Sequence, residues 1–314
     1  MNLTSPSQVK DWCIRNGFHP NRVLGQNFLI DRNVLDFIID TASPQRSTVL
    51  EIGPGLGVLT EGLLGRGCSV TAIEKDPVLA DRLKESLGSP ESLTVLKGDA
   101  LDYIKRGACD GFPMMVSNLP YQAGTRILIE LADRLNPQPA SAEASASAEA
   151  TTDTSAGKPS TLNPPSLKLP PPLKLRRINR QTSPQPSTSP EVIVVLVQTE
   201  VADRLAAQEG SKTRGLAGVR MQLDYDVSVV RKVAASCFWP RPEVGSSIVK
   251  LVRHHRNDNV GADVRATFRR MTKQAFEHRR KQLGSIFKGI IESSARAEEL
   301  SNADWLDLCY NLTP

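Results

Sequence analysis

Aromatic residues are scarce in this chain, histidine occurs four times, and no aliphatic run exceeds the six residues Val192 to Val197. A helix crossing a bilayer needs about 20 apolar residues, so no membrane span is expected. The start, MNLTSPSQVKDW, lacks a basic stretch followed by an apolar one, which gives no targeting signal and sets the expectation of a cytoplasmic protein. Cysteines at 13, 68, 109, 237 and 309 are odd in number and scattered, with no Cys-x-x-Cys pair. They read as reduced thiols, and neither they nor His19, His254, His255 and His278 show a metal-ligand spacing, so no metal is expected.

Acidic surplus is also missing: the net charge is +5 and the pI about 9.0, which favours an anionic partner. The excess is local. Residues 265 to 296 hold nine Lys or Arg against Glu277 and Glu292, a surplus of +7, and residues 137 to 190 carry +3. That second stretch also holds 11 of the 22 prolines, with abundant Ser, Thr and Ala, and reads as a disordered insertion. Its basic latter half, LKLPPPLKLRRINRQ, fits either a solvated tether or an arm that touches nucleic acid.

Outside the insertion, helices and strands alternate. A short helix is expected at 9–16, then an amphipathic helix at 34–42 with Asp31 as its N-cap. Strands at 48–52, 69–73, 93–97 and 113–117 alternate with helices at 59–64, 77–87 and 126–135. Beyond the insertion come a strand at 192–197, a helix at 200–208, strand within 223–234 and a last strand at 247–253. Polar residues 254–259 mark a boundary, after which apolar positions 264, 268, 271, 275 and 276 repeat at helical spacing. The pattern is that of an α/β domain over residues 1–255, interrupted at 137–190, followed by a small all-helical basic domain over 256–314.

The residues able to do chemistry follow strand ends, where open α/β sheets bind ligands. The turn Gly53-Pro-Gly-Leu-Gly57 leaves a strand and opens a helix, so Gly53 and Gly55 let the backbone approach a nucleotide closely. Glu74, 17 residues beyond Gly57, suits a ribose diol whether the ligand is a dinucleotide or S-adenosylmethionine. Asp99 favours the second and leaves the dinucleotide reading open, because an acid after the third strand accepts the adenine amine of S-adenosylmethionine and a dinucleotide enzyme needs nothing like it there.

The tetrapeptide Asn118-Leu119-Pro120-Tyr121 is an ordinary turn or a site for an exocyclic amine. Such an amine is a poor nucleophile, since its lone pair is delocalised into the ring. The Asn118 side-chain oxygen and the Leu119 carbonyl can accept its two hydrogens, Pro120 stiffens the loop, and Tyr121 stacks on the base. In the rigid segment Cys237 to Val244, Phe238 is the second candidate for stacking on an extruded base, while Trp239 reads as core. The run Phe276 to Leu283 is expected to be a basic helix, a solvated face or a phosphate contact.

Six blocks in order resemble the ribosomal RNA adenine dimethyltransferases: Gly25-Gln-Asn-Phe-Leu29, Glu51 to Gly57, Asn118 to Tyr121, Gln198-Thr-Glu-Val201, Phe238 to Val244 and Phe276 to Leu283. A block near Thr213 to Val219 matches only loosely, and the insertion is atypical. The resemblance implies a Rossmann-like class I methyltransferase fold and dimethylation at N6 of two adjacent adenosines near the 3′ end of small-subunit rRNA. It implies S-adenosylmethionine contacts at Asn27, Leu29, Gly53, Glu74, Asp99 and Asn118, with Asn27 and Leu29 closing over the cofactor. The implied partner is an assembling small subunit, with no DNA and no membrane, bound by a monomer. A large-subunit methyltransferase of the macrolide-resistance type and a non-catalytic assembly factor are the alternatives from other classes.

Overall fold

The structure, a computed structural model, describes residues 2–21, 23–134, 167–168 and 189–313. The disorder expected for the insertion, and its role as tether or arm, fall outside the described residues apart from the pair 167–168. The chain divides into two compact units: one comprises residues 1–135, 184–208 and 213–259, the other 136–183, 209–212 and 260–314.

The first unit begins with α1 (Pro6–Arg15), β1 (Phe28–Leu29) and α2 (Arg32–Ala42), whose first turn is capped by Asp31 accepting from the Val34 N–H at 3.0 Å. Then come β2 (Thr48–Ile52), α3 (Val58–Gly65), β3 (Ser69–Glu74), α4 (Pro77–Ser86), β4 (Leu93–Lys97), α5 (Ala100–Lys105), β5 (Met114–Asn118) and α6 (Gly124–Arg134). In the second unit, β6 (Leu167–Lys168) pairs in parallel with a strand described below. Returning to the first, β7 (Val192–Gln198), α7 (Thr199–Ala206), α8 (Leu216–Met221), β8 (Tyr225–Val233), β9 (Phe238–Trp239) and β10 (Ser246–Arg253) complete it. The short helices α5 and α8 are not foreseen in the sequence pattern: each is six residues, too short for a period to declare itself.

Seven strands form one sheet in the order β4-β3-β2-β5-β7-β10-β8, parallel from β4 to β7, with β10 antiparallel to both of its neighbours. The strands read as near-continuous aliphatic runs because both faces are covered. Alternate residues divide between two cores. Val49, Val70, Val116 and Val194 pack on one side with α1 to α4, whereas Leu50, Ile73, Met115 and Ile193 pack on the other with α5 to α8. Burying side chains such as Leu50 and Ile193 fully contributes about 1.5–3 kcal/mol each, which offsets the entropy of ordering a sheet with few local contacts.

Beside β2 the strand order reverses, with β3 on one side and β5 on the other. Here the ladder stops early: β2 and β5 pair only at Val49 with Met114 and Leu50 with Met115. The Ile52 N–H turns instead to the Ser117 hydroxyl at 2.9 Å, and both groups are buried. Meanwhile β5 stays fastened to β7 through Asn118 opposite Leu196, and the Leu119 N–H donates to the Leu196 carbonyl at 3.0 Å. One side of the Asn118 loop is therefore anchored and the other left open.

The second unit contains α9 (Ala262–Glu277), α10 (Leu283–Ile286), β11 (Ile291–Glu292), which pairs with β6, and α11 (Asn302–Leu312). Val264, Phe268, Met271 and Ala275 are buried along α9, as the spacing predicts. The basic run is not the helix expected from its sequence. Here α9 ends at Glu277, His278 is its C-cap, and residues 278–280 form a turn, since between Phe276 and Leu283 no apolar residue offers a stripe to bury. Arg265 and Arg269 are buried rather than solvated, and Arg279 donates to the Lys212 carbonyl, while Arg270, Lys273, Arg280, Lys281 and Lys288 stay exposed.

A buried carboxyl links strand to helix across the glycine turn. Glu51 on β2 is 1% exposed, and its Oε2 accepts from the Thr60 hydroxyl on α3 at 2.7 Å. Burial pushes its pKa up from 4.5 to about 8, the Thr60 bond opposing the shift and the charge of Glu74 adding to it. Between those two values the fold holds a proton that the unfolded chain has released. The stability this proton confers is complete below pH 4.5 and is lost as pH rises through about 8. Replacing Glu51 with Gln removes the titration. Urea unfolding at pH 5 and pH 8 is expected to show a pH dependence smaller by about a few kcal/mol in the variant than in the unsubstituted chain; an equal pH dependence in both would mean that Glu51 ionises normally.

Candidate active site

A cavity of about 290 Å³ opens where the sheet parts, at the lower end of the range for small-ligand sites. It is lined by the segment 23–29, the glycine turn, Glu74, Asp99 and the loop 118–123. Of the residues singled out in the sequence, Asn27, Leu29, Gly53, Gly55, Glu74, Asp99, Asn118, Leu119, Pro120 and Tyr121 all face this one space. They come from four strand ends and from β1 with the segment before it.

The glycines are required by close approach as well as by backbone angle. Gly53 and Gly55 have φ of 71° and 60°, and a Cβ on either would come within 3.0 Å of the Pro120 or Phe28 ring respectively. Pro120 thus packs against the glycine turn, so two conspicuous loops of the sequence form one wall.

Glu74 is 6% exposed and holds that wall in place: Oε2 accepts from the Gly55 N–H at 3.0 Å and Oε1 from the Asp76 N–H at 2.8 Å. Burial raises its pKa, against the pull of these two bonds. Each oxygen retains a lone pair, so the carboxylate has capacity for two further donors such as a diol. Asp99 has a double duty as well. Its Oδ1 caps α5 through the Leu101 N–H at 2.9 Å and its Oδ2 accepts from Lys75 Nζ at 2.8 Å. Partial burial pushes the Asp99 carboxyl up, but Lys75, the Leu101 N–H and the charge of Arg126 together outweigh it and hold the group below the usual aspartate range.

Asn118 carries the most informative geometry. Its Nδ2 donates to the Asn27 carbonyl at 3.1 Å, which fixes the orientation of the amide. Its Oδ1 is buried and has no hydrogen-bond partner among the described residues. An orphaned buried acceptor costs about 1–3 kcal/mol and marks a place where a donor is missing. Among the described residues nothing supplies that donor, so the atom is open to a ligand in the cavity.

Phe238 does not line the cavity. The expected slot between Tyr121 and Phe238 is absent in this structure: Phe238 is 2% exposed, and the rings meet edge to face with centroids 6.3 Å apart. A base inserted between two rings needs their faces parallel and roughly two stacking distances apart. Phe238 also has a place in the fold. It pairs with Leu29 as Trp239 pairs with Phe28, and Trp239 stacks on Phe28 at 6.5 Å, so this segment holds the 25–29 segment by the cavity.

Several residues of the site lie beyond the sequence reading. Gln26 accepts from the Asn21 N–H at 2.7 Å and donates through Nε2 to Asp76 Oδ2 at 2.8 Å, fastening the 21–26 loop to the N-terminus of α4. Its place beside Asn27 in the Gly25 to Leu29 block was the available signal. Ser117 and Ser246, by contrast, offer no local signal: the Tyr121 and Ser246 hydroxyls are bonded to each other across 125 positions of sequence.

The chemistry of the donors and acceptors fits S-adenosylmethionine. Two carboxylates with spare lone pairs suit a ribose diol and an adenine amine, and they line the same cavity as the glycine turn. A family model described as ribosomal RNA adenine dimethylase matches residues 17–303. The ribosomal RNA small subunit methyltransferase A of Natranaerobius thermophilus is 33% identical, covering 96% of this chain and 90% of that protein. Its counterpart from Cutibacterium acnes is 31% identical, covering 97% and 88%. Among solved structures, a dimethyladenosine transferase from Plasmodium falciparum superposes with a TM-score of 0.61 at 20% identity, over 90% of this chain and 96% of that one. The 23S rRNA methyltransferase ErmE gives 0.55 at 21%, over 91% and 99%. At these identities the two structures bear on the fold, which they share with this chain, and the sequence matches bear on descent: this chain belongs to the ribosomal RNA adenine dimethylase family, enzymes that use S-adenosylmethionine.

Proposed function

We propose that this chain dimethylates, at N6, two adjacent adenosines near the 3′ end of small-subunit rRNA, and that it acts as a cytoplasmic monomer on an assembling subunit. The observation that carries the reading is the orphaned Asn118 Oδ1, fixed by the Asn27 carbonyl in a cavity it shares with Leu119 and Tyr121. When bound, S-adenosylmethionine supplies a methyl group activated by a cationic sulfur. Glu74 takes its ribose diol, Asp99 its adenine amine, and Gly53, Gly55, Asn27 and Leu29 enclose it.

The target adenine leaves its stack and lies on Tyr121. Asn118 Oδ1 and the Leu119 carbonyl accept the N6 hydrogens, which localises the nitrogen lone pair for attack, and the excess proton is lost to solvent afterwards. Of the carboxyl groups lining this space, Glu51 is held by the Thr60 hydroxyl and Glu74 and Asp99 are given to the cofactor, so positioning and hydrogen-bond polarisation carry the rate. Phe238 backs Tyr121 rather than sandwiching the base. Arg270, Lys273, Arg280, Lys281 and Lys288, exposed in the second unit, supply phosphate contacts.

Labelled methyl transfer from S-adenosylmethionine to unmethylated small subunits, with large subunits as control and digestion to nucleosides, is the direct test. The expected product is N6,N6-dimethyladenosine from the small subunit alone, and label confined to the large subunit would refute the assignment. Asn118→Ala is expected to lower turnover by on the order of 10²–10³-fold with its melting temperature retained or raised, because the variant also removes a buried orphan. Gln26→Ala, which releases the loop without touching the cavity acids, is expected to weaken S-adenosylmethionine binding by roughly tenfold in calorimetry; unaltered affinity would show that the loop is held by other contacts.

A further inference from the structure

We infer that Ser246 is a positioning residue for the target base, acting through the hydroxyl of Tyr121. The inference rests on the reading of Tyr121 as the platform on which the adenine lies. Ser246 opens β10 and is 0% exposed, with its backbone in register between Gln198 of β7 and Val233 of β8. Its hydroxyl therefore has a fixed origin. The strand continues through Ser247, whose hydroxyl donates to Thr199 at 3.2 Å, and through the fully buried Ile248, Val249 and Leu251. A buried hydroxyl in such a place needs a partner, and the partner is Tyr121.

The ring of Tyr121 is thus held at two points: its edge contact with Phe238 and its hydroxyl on Ser246. Burial raises the pKa of the phenol, against the pull of the Ser246 bond, so the phenol stays protonated and either hydroxyl can donate to the other. Without the second point the ring is free to pivot about its bond to the loop, and a base stacked on it moves with it.

The two methyl transfers feel this differently. In the first, the N6 amine offers two hydrogens, one to Asn118 Oδ1 and one to the Leu119 carbonyl, and the base is held from its edge. After one methyl is added a single N–H remains, so the edge grip is halved and the stacking platform determines where the nitrogen sits. Loss of the Ser246 bond therefore slows the second transfer more than the first.

The test measures N6-methyladenosine and N6,N6-dimethyladenosine over time on unmethylated small subunits for the unsubstituted chain, Ser246→Ala, Tyr121→Phe and the double variant. Each single variant is expected to lower the second-transfer rate, relative to the first, by about fivefold, so that the monomethyl product accumulates. The double variant is expected to match the singles, because either change removes the same bond. An unchanged product ratio in Ser246→Ala overturns the role, as does a double variant whose loss is the product of the two single losses. Should Ser246→Ala fail to fold, Tyr121→Phe removes the bond from its other end, and an unchanged ratio there is equally decisive. An unsubstituted chain that methylates no adenosine overturns the adenosine reading itself, and this role with it.

Discussion

The early end of the ladder between β2 and β5 is the constraint on which the site depends. Two parallel strands that paired to their tips would bring the glycine turn and the Asn118 loop together and close the crevice. Because pairing stops at Leu50 and Met115, the Ile52 N–H needs another acceptor, and Ser117 provides one from within β5. A single hydroxyl thus satisfies the buried donor that the opening would otherwise orphan. On the far side β7 holds Asn118 and Leu119 in place, so the gap widens without loosening the loop.

Around that opening, polar groups with functional capacity also do structural work. Glu74 organises the glycine turn, Asp99 starts α5, and the Asp76 that caps α4 anchors the loop bearing Gln26. The arrangement makes the site stiff, since moving any acid disturbs a helix start or a turn. It also confines unfavourable terms to a few atoms: the buried proton on Glu51 and the partnerless Asn118 Oδ1 lie between two well-packed apolar layers that can bear them.

Where structure follows from nearby residues, the sequence was informative. The parallel strands declare themselves as aliphatic runs, and Gly53, Glu74, Asp99 and Asn118 are legible because each follows a strand end. Asp31 as an N-cap is equally local. Other features depend on partners far along the chain. Phe238 has the chemistry of a stacking residue, but its register opposite Leu29 buries it, and nothing in the segment 237–244 encodes that pairing. Charge density in residues 276–283 suggested a helical face, whereas helix extent there follows where an apolar stripe runs out. Ser246 looks like any strand serine until the fold brings Tyr121 to it.

The position of β10 has a consequence for the order of events at the ribosome. This strand lies between β7 and β8, yet it is made after both. Until Ser246 to Arg253 has emerged, the nascent sheet has a gap and Tyr121 has no hydroxyl to meet, although the glycine turn and Glu74 are already complete. Synthesis therefore finishes the part of the cavity built by β2 and β3 well before it finishes the part that holds the Tyr121 ring.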